Sequence, residues 1–115
     1  MDHGFEKKQF TNEIIEKAIE ILRDKGLFLD GYHDGTASDP IGALSIAMNP
    51  DLAGIPFTDS IESEDCPSFE AWNTTICIVT NAYLGSMKAM EIILLCDNKE
   101  FNVNQAIRWL ETLKR

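Results

Sequence analysis

Between Lys25 and Lys88 the chain has no lysine and no arginine. That 62-residue stretch carries nine carboxylates: Asp30, Asp34, Asp39, Asp51, Asp59, Glu62, Glu64, Asp65 and Glu70. Outside it ten acids face ten bases, so the whole formal charge of −9 belongs to the centre. A segment without bases repels phosphate and attracts basic protein surfaces. Its absence of cations argues against direct binding of nucleic acid or an anionic membrane and for a basic protein partner.

Other absences narrow the reading further. The three cysteines, Cys66, Cys77 and Cys96, form no CxxC pair, and two histidines complete no zinc set at recognisable spacing. An odd cysteine count with no leader suits reduced thiols, and Cys77 and Cys96 read as small buried hydrophobes. The opening MDHGFEKKQFTN lacks the apolar stretch of a secretory signal. The longest strongly apolar run, Ile92 to Cys96, is far short of a membrane span. A cytoplasmic protein without metal or cofactor is the expectation. No catalytic motif rises above background.

What is present reads as one all-α domain over residues 1–115, a bundle of about five helices with a long acidic loop. Thr11 or Asn12 caps a first helix over 12–25, whose stripe is Ile14, Ile15, Ala18, Ile19 and Leu22, with Gly26 closing it. Asp39 before Pro40 opens a short helix that ends at Asn49-Pro50. Residues 49–67, with three prolines and the run DSIESED, form the loosest part. Phe69, Trp72, Ile76, Val79 and Tyr83 step by three and four, predicting a helix over 68–84 despite a β-prone run inside it. Gly85 ends that helix and Ser86 caps the next. Met87 to Cys96 is apolar on nearly every face, which predicts a helix central to the bundle or buried in a homodimer, with Met87 and Met90 as core fillers. Asn102 and Gln105 have capping-box spacing ahead of a last helix with stripe Val103, Ala106, Ile107, Leu110 and Leu113.

Four places could carry chemistry or binding. Asp30, Asp34 and Gly35 match three positions of a calcium loop, but Tyr32 and Ile41 stand where ligands are needed, so the turn reads as a connector whose aspartates cap backbone donors. His33 between them could act as a general base with Asp30 or Asp34, yet no nucleophile accompanies it, and an exposed turn histidine is the simpler expectation. The acidic run Asp59, Glu62, Glu64, Asp65 and Glu70 is either a solvated loop, a docking surface for a basic face, or a paired-carboxylate site; its lack of any base favours docking. Trp72 belongs to the core seam. Trp109 falls about 90° from the centre of its helix's stripe, predicting a partly exposed anchor.

Three segments are similar to a small helical bacterial and phage family of unknown function. They are IEILRDKG, the Gly42-Ala43-Leu44 helix start after an acidic turn, and DNKEFNVNQAIRWLE, covering about half the chain. Members of that family usually lead into the Gly-Ala-Leu step with a more polar, often cysteine-containing stretch, where this chain has Asp39-Pro40-Ile41. The resemblance implies a helical fold and no catalytic residue. In style the chain also resembles small acidic phage inhibitors, including DNA mimics and anti-CRISPR proteins, which offer carboxylates to phosphate-binding surfaces.

These readings order the possible functions. The first is an acidic interaction domain that binds a basic partner surface through Asp59, Glu62, Glu64, Asp65, Glu70, Asp30, Asp34 and Trp109, inhibiting a nucleic-acid-binding protein. The second is a metal-dependent or hydrolytic enzyme using Asp30, His33, Asp34 and Asp39. The third is a homodimer through Met87–Cys96.

Overall fold

The chain was analysed as a computed structural model that describes residues 9–29, 31–58, 69–98 and 100–114. Helix α1 spans Asn12–Lys25 and begins where Thr11 Oγ1 accepts the Ile14 amide at 3.2 Å. Its stripe buries Ile15, Ala18, Ile19 and Leu22. Gly26, at φ 92°, closes it with an amide donated to Leu22 O, a conformation that glycine adopts without a Cβ penalty. Helix α2 spans Pro40–Met48, with Asp39 Oδ1 accepting the Gly42 amide at 2.6 Å and proline at the first position. It lies at the centre of the molecule, against α1 and the elements that follow, with every residue from Pro40 to Ala47 buried.

A strand pair, absent from the sequence-based expectation, frames the start of α2. Strand β1 (Gly31–His33) pairs antiparallel with β2 (Phe57–Thr58), Gly31 opposite Thr58 and His33 opposite Phe57. A Cβ on Gly31 would sit 2.7 Å from the Thr58 backbone, so only glycine permits this approach. The pair is held from the side by aromatics. Phe57 stacks between Tyr32 at 5.8 Å and Trp72 at 5.6 Å, with Phe69 edge-on at 5.3 Å.

Where separate helices were expected over 68–84 and from Met87 to Cys96, one continuous helix, α3, runs Phe69–Cys96. Ile76 to Val79 is helical throughout, because Trp72, Ile76 and Val79 all reach the core. Residues Ile78–Leu84 widen into a π segment, and Gly85 sits at φ 81°, ψ 161°. Gly85 therefore distorts the helix without ending it. The buried positions step 72, 76, 79, 84, 89 and 92, and of the two five-residue steps the first lies inside the wide segment and the second leaves from its end. In a regular helix the seam would have run on through Tyr83 to Met87, Met90 and Leu94. The widened turn rotates the second half, so Ala89 and Ile92 face inward instead.

Helix α4 spans Val103–Glu111 and opens with a reciprocal capping box, Asn102 and Gln105 exchanging two 3.0 Å bonds. It packs on α1, and Lys114 beyond its end pairs with Glu16. Phe10 stacks on Tyr83 at 4.7 Å, joining the start of the described chain to α3. The radius of gyration, 13.5 Å, equals that of a compact domain of this length, about 13 Å. The architecture is thus mostly helical, with four helices and one small strand pair among the described residues.

Candidate interaction surface

The turn between α1 and α2 gathers His33, Asp34 and Asp39, and each is committed to local structure. Asp34 Oδ1 accepts the amides of Thr36 at 2.8 Å and Ala37 at 2.7 Å, and those bonds hold its carboxyl below the ordinary range. Asp39 caps α2. His33 is 2% exposed, not the solvent-facing residue that its polar neighbours suggested. Its Nε2 accepts the Gly54 amide at 3.1 Å, which leaves the proton on Nδ1, 2.9 Å from Ala37 O and 2.8 Å from Ser38 Oγ. Burial lowers its pKa below 6.5, the Ala37 bond and the Asp34 charge opposing in part. Both ring nitrogens are occupied, and the ring leans on Trp72 at 5.8 Å. His33 is a brace between the turn and the Gly54 loop, and it has no nitrogen free to take a substrate proton.

Two shallow hollows of about 330 Å³ each flank the α1–α2 contact. One is lined by Lys17, Glu20, Asp24 and Pro50, the other by Thr36 and Gly54, and they share Ile21, Lys25 and Ile46. His33 is the one imidazole at either, and it is engaged as described. Among the described residues no group of three or more His, Cys, Asp or Glu is placed to hold a metal ion.

Of the eight sequence-predicted binding residues the structure describes Asp34, Glu70 and Trp109. Asp30, Asp59, Glu62, Glu64 and Asp65 lie outside the described residues. Asp34 and Glu70 are exposed, on the first turn of chain after β1 and the first turn of α3 respectively. Trp109 is 6% exposed, and its Nε1 donates to Glu91 Oε1 at 2.9 Å, so it is a core residue of the α3–α4 junction and not an anchor. The wheel of α4 put it on a flank. That flank meets Glu91 of α3, while the helix as a whole packs on α1.

Cys77 is exposed, against the expectation of a buried thiol, since it lies outside the Trp72–Ile76–Val79 face. Cys96 is partly buried, and desolvation with the nearby Asp39 and Asp97 charges pushes its thiol up to about 12. That thiol stays protonated and unreactive at neutral pH.

A further exposed feature is on the second half of α3. Met87 is 87% exposed, Leu94 61%, Met90 55% and Ile93 40%, so Met87 and Met90 are not core fillers and the helix is not central to the bundle, the first of the two arrangements expected for it. Met87, Met90 and Leu94 stand at i, i+3 and i+7 and form one outward stripe with Ile93 at its edge. Only Ala89 and Ile92 are buried on this half. Helix α3 is also long and apolar enough to cross a membrane by length and composition, although it carries Glu70, Lys88 and Glu91. Scattered exposed apolar residues are ordinary, whereas these four lie together on one side of the helix. No protein-family model, no curated protein and no solved structure matches this chain.

Proposed function

We propose that this protein is an acidic interaction domain that binds a basic surface of a protein partner in the cytoplasm. The observation that carries the reading is the segregation of charge, with nine carboxylates and no base between Lys25 and Lys88. Such a field steers a basic partner into encounter, while exposed ion pairs by themselves add little affinity. A partner that normally binds nucleic acid has the matching surface, and the protein would then act as its inhibitor by occupying the phosphate-binding face. The commitment of His33, Asp34 and Asp39 to backbone bonds favours this reading over hydrolytic or metal-assisted chemistry at that turn.

The test compares the protein with its triple variant Glu62→Lys, Glu64→Lys, Asp65→Lys. Both are used as bait in extracts of the native host, with quantitative mass spectrometry of the proteins retained. Basic proteins held by the unmodified chain, displaced by added DNA and lost from the variant, support the reading. Retention of the same proteins by both baits overturns it.

A further inference from the structure

We infer that the Met87–Met90–Leu94 stripe, with Ile93, is the docking site for an amphipathic helix of a protein partner whose apolar face is flanked by lysine and arginine. The inference rests on the basic-partner reading above and locates where the affinity comes from.

Three observations select this occupant. The first is size. Met87 to Leu94 covers eight residues, a rise of about 10 Å along a helix. That is two turns, the length over which a bound helix presents i, i+3 or i+4, and i+7 anchors. A stable pair of identical chains needs about 800 Å² from each, more than four side chains supply. The second is charge. The stripe is bordered by exposed Glu91 and runs into exposed Asp97 and Glu100. Lys88, the one base described on this half, lies to the side, lining a hollow with Thr112, Leu113 and Lys114. Joining two copies would set these carboxylates against themselves on chains that each carry −9. A helix edged with lysine or arginine meets them with opposite charge. The third is chemistry. Two methionines and two aliphatic residues make an adaptable apolar surface, because the unbranched thioether side chain fills irregular gaps. Exposed on a helix, that adaptability suits a contact with a partner helix of variable side chains.

The probe is a synthetic amphipathic peptide made only of leucine and lysine, with its leucines at helical spacing. Its control is the same composition scrambled. Binding is measured by isothermal calorimetry to the full chain and to the double variant Met90→Gln, Leu94→Gln, and methyl NMR shifts locate the contact. The expected result is binding of the patterned peptide with shifts at Met87, Met90, Ile93 and Leu94. The scrambled peptide and the double variant should each weaken binding by about tenfold or more, with the melting temperature of the variant unchanged. Equal binding of both peptides to both proteins would overturn the docking site and leave the basic-partner reading standing, since carboxylates alone would then hold the peptide. Failure of both peptides to bind would sink the two together. Sedimentation showing a dimer that the double variant abolishes would give the stripe to a second copy. Flotation with phosphatidylcholine vesicles, lost in the variant, would give it to a lipid surface.

Discussion

Helix α2 and the second half of α3 are the two stretches of this chain that are apolar on nearly every side, and the structure treats them oppositely. Residues Pro40 to Ala47 of α2 are all buried, whereas Met87, Met90, Ile93 and Leu94 of α3 face outward. Helix α2 carries no charge, whereas the α3 stretch carries Lys88 and Glu91. Side-chain size separates them as well. Helix α2 reads Pro-Ile-Gly-Ala-Leu-Ser-Ile-Ala, with the small residues Gly42, Ala43, Ser45 and Ala47 spread around its surface. Gly42 lies directly against the Tyr32 carbonyl and Ser45 returns its hydroxyl to Ile41 O at 2.8 Å. Neighbours can therefore approach its backbone from all sides. The α3 stretch carries its small residue, Ala89, on one side and long flexible chains on the other. One side accepts a neighbouring backbone and the other holds it off.

The largest predicted effect contrasts the two leucines. Leu44→Ala removes a side chain with no exposed surface and is expected to destabilise by about 2–5 kcal/mol. Leu94→Ala is expected to change stability by under about 0.5 kcal/mol. Chemical denaturation of both variants reads the difference. Equal losses would mean that α3 is packed as α2 is, and the contrast drawn above would fail.

Next comes Gly42→Ala. A Cβ there overlaps the Tyr32 carbonyl, which is backbone and cannot swing aside. Overpacking of this kind costs about 1–3 kcal/mol, opposite in sign to the gain that alanine ordinarily gives within a helix. A melting temperature at or above that of the unmodified chain would show that β1 stands further from α2.

Much of this arrangement was legible in the residues, and the part that was not has a common cause. Helices α1, α2 and α4 announce their ends through Thr11, Asp39 and the Asn102–Gln105 box, all local devices. The strand pair left no pattern, since three residues opposite two are too short for alternation and are fixed by Gly31 and the Tyr32–Phe57–Trp72 stack. The burial of His33 depends on Gly54, 21 residues away, and that of Trp109 on Glu91, 18 away. The outward turn of Met87, Met90 and Leu94 depends on the π segment Ile78–Leu84, which Thr80 marks only by donating to Ile76 O at 2.9 Å. A helical wheel assumes a constant turn, so it could show the two faces of this segment but not which of them is turned to the core. The acidic run, which set the functional reading, lies largely outside the described residues.

The frame that seats α2 gives a prediction in pH. Burial keeps the folded His33 pKa below the ordinary 6.5. The unfolded chain therefore takes up the proton first, and the stability that the neutral ring contributes is complete above about 6.5 and lost as pH falls through the folded value. His33→Gln retains an acceptor for the Gly54 amide and has nothing to titrate. Denaturation curves between pH 7 and 5 should show a falling stability for the unmodified chain and a shallower fall for the variant, by up to one proton's worth of slope. Parallel curves would show that His33 does not carry that dependence.

The smallest effect is the one that sharpens the comparison most. Met90→Gln with Leu94→Gln replaces two outward side chains by polar ones of similar length and good helix propensity. In the isolated protein the change should lie within about 0.5 kcal/mol of neutral, because no buried contact is removed. The same pair at buried positions would leave two unsatisfied amides in an apolar surround, at a cost of about 1–3 kcal/mol each. Thermal unfolding at several protein concentrations separates the cases. A monomer with its stripe in water gives a melting temperature independent of concentration and of the substitution. A melting temperature that rises with concentration only in the unmodified chain would show that the stripe is already covered by a second copy, since association with the native state stabilises it by mass action. The second half of α3 would then be buried after all, as α2 is, with the difference that its neighbour comes from another chain.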